Sequence, residues 1–391
     1  MNPVAWPLLA LTLGHMFSNA VRTLPAVASD VMARDLAVSA EALAGITGAF
    51  PAAFAAAMIP VGVALDRWGV KPVSLSLLAI AAVGTVLAAL APSASTMLLA
   101  QIVLGMGCSG MMMCPMTYAA RAVPQERFSV WAGLVQSVGN SGMILSASPL
   151  AWLVEAQGWR AGFLACLGIV AIGALAVSLT VRHDRPVPVP GRSAWGDAKD
   201  VMRVAVSPRL RGLMAVAFVS FGAVLGVRGL WGGPWLMEAK GMGRVAAGNL
   251  LLGVTFALVV GPAFAGWVVG RVGHLRLLLV GGHLLAAALI VALVIGGPLA
   301  FPAWVDGLIL TGFGLAIAFQ ILCFTLLRSL VRPEEAGRAL SAQNIFFFGG
   351  AAVLQGISGI AAGFGGVAAA LLTFAAALVI ASLLFLRWQR P

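Results

Sequence analysis

Apolar runs near the length of a bilayer crossing occupy most of this chain, and that pattern narrows the possible folds more than any motif. A helix needs roughly 20 apolar residues to span the hydrocarbon core. Windows close to that length fall at 5–28, 42–65, 72–92, 96–119, 128–154, 161–181, 212–236, 246–270, 277–297, 303–327, 339–362 and 366–386. The expected fold class is an all-α membrane protein with twelve transmembrane helices. Charged residues make up only 9% of the 391 and apolar ones 61%. A soluble domain carries about 25% charged residues, so composition excludes a soluble enzyme.

The net charge of +11 would suit nucleic acid, but its placement points elsewhere. Most Lys and Arg residues sit in short loops between apolar windows, the pattern that marks a cytoplasmic face. With the N-terminus inside, positive residues at 67, 71, 121, 127, 182, 185, 192, 199, 203, 209, 211, 271, 276, 328, 332, 338, 387 and 390 fall on the inner side. Arg34, Arg160, Lys240 and Arg244 fall outside. Both termini are therefore expected in the cytoplasm, and residues 5–28 read as a retained helix rather than a signal peptide. Arginine far outnumbers lysine, a bias of GC-rich bacterial genomes, and the expected location is a bacterial inner membrane. Cys108, Cys114, Cys166 and Cys323 all lie inside apolar windows and define no disulfide framework.

Two turns repeat the same text. Gly62 to Lys71 reads GVALDRWGVK, and Gly266 to Gly273 reads GWVVGRVG, 204 residues later. Gly105 and Gly107 match Gly312 and Gly314 at an offset of 207, as do Gln136 with Gln343 and Gly142 with Gly349, while Arg22 and Arg228 are 206 apart. The chain thus divides into an N-terminal six-helix half at 1–181, a linker at 182–211 and a C-terminal half at 212–391. The linker opens with Pro186, Pro188 and Pro190, and Trp195 to Arg203 is expected to form a short interfacial helix.

On these residues the chain resembles the major facilitator superfamily, whose signature loop joins helices two and three and recurs in degenerate form between helices eight and nine. The resemblance covers nearly the whole chain. It implies a transporter with no enzymatic step and no cofactor, working by alternating access with the substrate near the midplane. It also implies gating roles for Gly62, Asp66, Arg67, Gly69, Lys71 and Arg271. Asp66 would cap a helix of the other half and pair with arginines, and Gly62 and Gly69 would allow close backbone approach. Gly270 stands where the second copy would carry its carboxylate.

Arg22 and Arg228 lie inside apolar windows, where each charge costs on the order of 2.5–3.5 kcal/mol. Asp30, Glu155, Glu238 and Asp306 all sit toward outer ends, so a ligand anion is the expected counter-charge. Arginine's planar fork suits carboxylate or phosphate. The pair resembles that of the organophosphate exchangers and organic-anion carriers, where it clamps the anionic group. The competing reading is that both side chains snorkel to outer headgroups.

Gln136, Asn140, Gln343 and Asn344 fall on the fifth and eleventh helices, which line the cavity in that family; interhelical hydrogen bonding is the bland alternative. His15 is placed to carry a proton or simply to pack. Tyr118 and Trp231 would wall the site or pack within the bundle. Cys108, Met112 and Met116 share a face at four-residue spacing, a soft array that would suit Cu(I) or fill space.

Gly139 to Gly142 (GNSG) is similar to a signature of nitrate/nitrite porters, but the arginines those porters carry on helices two and eight are missing. Ser148-Pro149 and Gln101 depart from the drug and proton-coupled patterns. The expectation is a monomeric carrier of a small organic anion, coupled to a proton or a counter-anion, with membrane lipid and no nucleic acid as partner. The rivals are a copper importer, a nitrate or drug transporter, and a sensor built on a transporter scaffold.

Overall fold

The computed structural model describes residues 4–38, 40–147, 149–182, 194–332 and 335–388. Pro186, Pro188, Pro190 and Ser148 lie outside the described residues. The order is α1 (Ala5–Val27), α2 (Ser29–Asp35), α3 (Ala40–Trp68), α4 (Val70–Ala89), α5 (Ala94–Cys108), α6 (Met113–Ala122), α7 (Gln125–Ala147), α8 (Pro149–Gln157) and α9 (Trp159–Thr180). It continues with α10 (Ala194–Ala205), α11 (Arg211–Val224), a π-helical segment (Leu225–Trp231), α12 (Gly232–Glu238), α13 (Arg244–Val272) and α14 (Leu275–Ile295). Then come α15 (Ala303–Ile317), a 3₁₀ turn (Ala318–Ile321), α16 (Leu322–Leu330) and α17 (Ala336–Trp388). Each apolar window falls mainly on helix. Among the described residues, nine helices are long and apolar enough to cross a membrane.

α10 occupies the stretch expected to be helical from Trp195 to Arg203. α17 covers the last two windows and bends at Gly365 and Gly366, where Gly366 has φ 64°; a side chain would be strained there. The fourth window is interrupted between α5 and α6 at residues 109–112, and the tenth between α15 and α16. The two breaks lie at matching places in the repeat. The first falls within the run that carries Cys108, Met112 and Met116.

The chain folds as two compact units: Met1–Val123, Val138–Val201 and Pro333–Ser341 in one, and Pro124–Ser137, Met202–Arg332 and Ala342–Pro391 in the other. In the first, α5 packs between α3 and α4. A Cβ on Gly105 would collide with the Phe50 carbonyl oxygen, and one on Gly107 would lie 2.5 Å from the Ala81 nitrogen. In the second, Gly314 meets Ala257 and Gly312 meets Leu289, so α15 sits between α13 and α14 in the same manner. Gly105, Gly107 and Gly314 thus have a packing cause, while a Cβ on Gly312 would make only an ordinary 3.4 Å contact with Leu289.

The buried core of the second unit gathers Val227, Trp235, Phe313, Leu371 and Phe374. In the first, Phe17, Trp159 and Phe163 are fully buried. Outer faces stay apolar: α9 exposes Leu164, Ile172, Leu175 and Leu179, as expected of a surface solvated by lipid.

Candidate functional site

At the end of α3, Asp66 collects four donors. Its Oδ1 accepts from the Gly337 N–H at 3.0 Å and from Arg121 Nη2 at 3.3 Å. Its Oδ2 accepts from the Arg338 N–H and from Arg338 Nε, both at 3.0 Å. The side chain is 8% exposed. Gly337 and Arg338 open α17, so the carboxylate satisfies N–H groups that the helix itself leaves unpaired and sits at the positive end of its dipole.

Close approach makes this cage possible. A Cβ on Gly337 would lie 2.6 Å from Asp66 Oδ1, and one on Gly62 would lie 2.5 Å from Ser341 Cβ. Ser341 Oγ donates to the Met58 carbonyl at 2.7 Å. Gly69 turns the chain into α4 with φ 84°, and Lys71 Nζ donates to the Ser178 carbonyl at 2.8 Å, tying α4 to α9. Arg67 lies beside Asp66 and is half-buried.

The second copy of the turn has the same closeness without the charge. A Cβ on Gly266 would collide with the Ser129 carbonyl oxygen, and one on Gly133 with that of Pro262. Arg271 is exposed and stacks on Trp267, 4.2 Å from the ring centroid. Arg328, 207 residues after Arg121, lies 4.9 Å from the Phe128 ring centroid, and its buried Nη1 has no hydrogen-bond partner among the described residues.

Elsewhere in the first unit, Arg22 Nη2 donates to Asn19 Oδ1. Asn19 is buried and its Nδ2 donates to the Gly139 carbonyl at 3.0 Å, so the guanidinium is steadied through α7. Gly139 and Gly142 let α1 come this close. A Cβ on the first would drive into the His15 ring, and one on the second into the Met16 carbonyl oxygen. This packing gives the GNSG run a structural cause. His15 lies against Gly139, Asn140 is buried beside it in sequence, and Tyr118 on α6 is half-buried.

In the second unit Arg228 sits inside the π-helical segment, a local widening that often marks functional positions. Its Nε donates to Thr255 Oγ1 of α13 at 2.8 Å. Trp231 Nε1 donates to Ser358 Oγ at 2.9 Å. Gln343 is fully buried and neither amide atom has a hydrogen-bond partner among the described residues; Asn344 is buried next to it. Gln136 is half-buried. Cys108 and Met116 are buried, with Met112 half-buried.

Several residues that hydrogen-bond to these side chains were not singled out from the sequence. Asn19 had a signal, since it stands three positions before Arg22 on the same helix face. Arg121, Thr255, Arg338 and Ser358 had none, because each reaches its partner across helices.

The family model of the Major Facilitator Superfamily matches residues 8–354. The chain is 26% identical over 226 residues to the sialic acid transporter NanX of Escherichia coli (strain K12), covering 56% of this chain and 54% of that one. It is also 26% identical over 237 residues to the methylenomycin A resistance protein of Bacillus subtilis (strain 168), covering 59% and 47%. The alignments span about half the length of these curated relatives. Among solved structures, the proton:xylose symporter XylE superposes with a TM-score of 0.81 at 15% identity, covering 99% of this chain and 96% of that one. At that identity the likeness speaks for the fold alone. With the duplicated turn, the all-helical repeat and a family match over most of its length, the chain belongs to the Major Facilitator Superfamily.

Proposed function

We propose that this protein is a secondary transporter carrying a small organic anion across the bacterial inner membrane by alternating access. The proposal includes twelve crossings in two six-helix halves, at 1–181 and 212–391, with both termini in the cytoplasm and a proton or counter-anion as coupling partner.

The observation that carries it is Arg228. A guanidinium offers five N–H donors, and among the described residues the one hydrogen-bond partner of Arg228 is the neutral hydroxyl of Thr255. A charge inside a membrane-spanning segment that faces no carboxylate is a functional site by default. A carboxylate or phosphate-like ligand would complete it bidentately. Arg22, steadied by Asn19, is the second cation assigned to the anion. Gln136, Asn140, Gln343 and Asn344 are assigned to the rest of the ligand, with His15, Tyr118 and Trp231 around them. The resemblance to a sialic acid transporter agrees with an acidic cargo. Asp66 and its cage are assigned to the inner gate.

The test is uptake by vesicles reconstituted with the full chain, using radiolabelled organic acids, their neutral amides and Cu(I). Acids are expected to enter and amides to be refused. Arg228→Ala should abolish uptake, while Arg228→Lys should retain part of it, because a point charge remains without the fork. Anion uptake that is indifferent to Arg228→Ala, or copper uptake lost in Met112→Ala, would overturn the proposal.

A further inference from the structure

From the start of α11 up to Arg228 the helical stretch shows one accessible stripe, and just beyond it Gly229 and Leu230 are exposed. Between Gly212 and Arg228 the positions open to the outside are Ala215, Phe218, Phe221, Leu225 and Arg228, and every other residue is buried. The steps of three and four residues place all five along a single face. Such a face opens either on lipid or on water. A half-buried guanidinium at its end decides between them, because intramembrane arginines face the protein interior or a water-filled cavity rather than hydrocarbon. On that rule the stripe is assigned to a watery path, and before Arg228 its side chains offer that path no donor or acceptor.

Rings from α17 extend the apolar wall. Phe221 and Phe348 lie 4.9 Å apart at 57°, and Phe218 and Phe346 lie 6.3 Å apart at 69°. Phe218, Phe221 and Phe346 are half-buried, so each keeps ring surface available, and Phe348 is half-buried beside them. Tilted aromatic pairs of this kind accept a further flat ring edge-on or offset. Arg228 is seven residues from Phe221, at most about 10 Å along the axis at the α-helical rise of 1.5 Å per residue.

We infer that the transported anion is an aryl-alkanoate or a close chemical equivalent: an acidic head at Arg228 and an apolar aromatic body lying along Phe221 and Phe348. This inference rests on the anion reading above and narrows it. A polyhydroxylated acid placed on the same wall would lose hydrogen bonds to water and regain none there, at a cost typical of burying unpaired polar groups.

Binding of 3-phenylpropanoate, gluconate, acetate and the neutral 3-phenylpropanamide to the purified full chain tests it, by calorimetry or thermal shift. The aryl acid is expected to bind at least tenfold more tightly than gluconate. Phe221→Ala should collapse the ratio of aryl acid to acetate by about tenfold, and Phe221→Leu, which keeps an apolar side chain without the ring, should lower it less. Gluconate binding as tightly as the aryl acid, an unchanged ratio in Phe221→Ala, or no binding of the aryl acid at millimolar concentration would overturn the inference. The amide separates the two readings. If it binds as well as the acid and Arg228→Ala changes nothing, the anion reading fails. If it is refused while gluconate binds, only the aromatic body fails.

Discussion

Replacing Asp66 by Asn keeps the size of the side chain and removes the charge that holds four donors. The Asn oxygen can still accept from one pair of donors, but its amide N–H₂ faces the other pair, either the Arg338 N–H and Nε in place of Oδ2 or the Gly337 N–H and Arg121 Nη2 in place of Oδ1, at 3.0 to 3.3 Å. Hydrogen bonds to charged groups are worth about 1.5–3 kcal/mol each, a lost helix cap about 1 kcal/mol, and breaking a buried ion pair about 3–5 kcal/mol. These overlap, and Arg121 and Arg338 retain 19% and 11% exposure, so water takes up part of the loss.

A net shift of about 3 kcal/mol follows for the equilibrium between the joined and parted forms of the α3 end and the first turn of α17, or roughly two powers of ten. Ser341 is fully buried in the joined form and reports on it. A Ser341→Cys reporter should react slowly with a membrane-impermeant maleimide in the Asp66 background and at least tenfold faster with Asp66→Asn. The four native cysteines are buried and contribute little background. Equal labelling rates in the two backgrounds would refute the reasoning, because the cage would then hold nothing.

Lys240→Met should destabilise the protein by about 3–5 kcal/mol, since Asp306 is 0% exposed and its Oδ2 lies 3.0 Å from Lys240 Nζ; Lys240→Met with Asp306→Leu should recover most of the loss in thermal unfolding. Gly139→Ala would drive a methyl into the His15 ring and is expected to cost at least the roughly 1–3 kcal/mol typical of overpacking, read as a lower melting temperature; an unchanged value would mean that α1 and α7 are not held as close as described. Gly270→Asp would supply a carboxylate at the position that Asp66 holds in the first copy, with Arg328 as the matching cation. A double-mutant cycle with Arg328→Gln should show coupling of about 0.5 kcal/mol or more, and zero coupling would deny the correspondence.

The duplicated turn could be read directly because it is local: Gly69 needs a positive φ, and Gly62 and Gly266 need bare backbone for a neighbour to approach. Their neighbours could not be read. Asp66 finds the start of α17 more than 270 positions away, and no periodicity in either helix encodes that meeting. The fourth window read as one unbroken apolar run, yet α5 stops at Cys108 and α6 begins at Met113. Hydrophobicity reports which surface is apolar and is blind to where a helix changes pitch.

Sequence alone therefore determined the all-helical apolar character, the repeat and the location of two arginines in apolar surroundings, because each follows from transfer free energy and spacing along one chain. Tertiary structure decided what those arginines touch, which carboxylate cage closes on which helix start, and which stripe of α11 remains open beside Arg228. Those outcomes depend on contacts between helices far apart in sequence, where a shift of an ångström makes or breaks a hydrogen bond that composition cannot register.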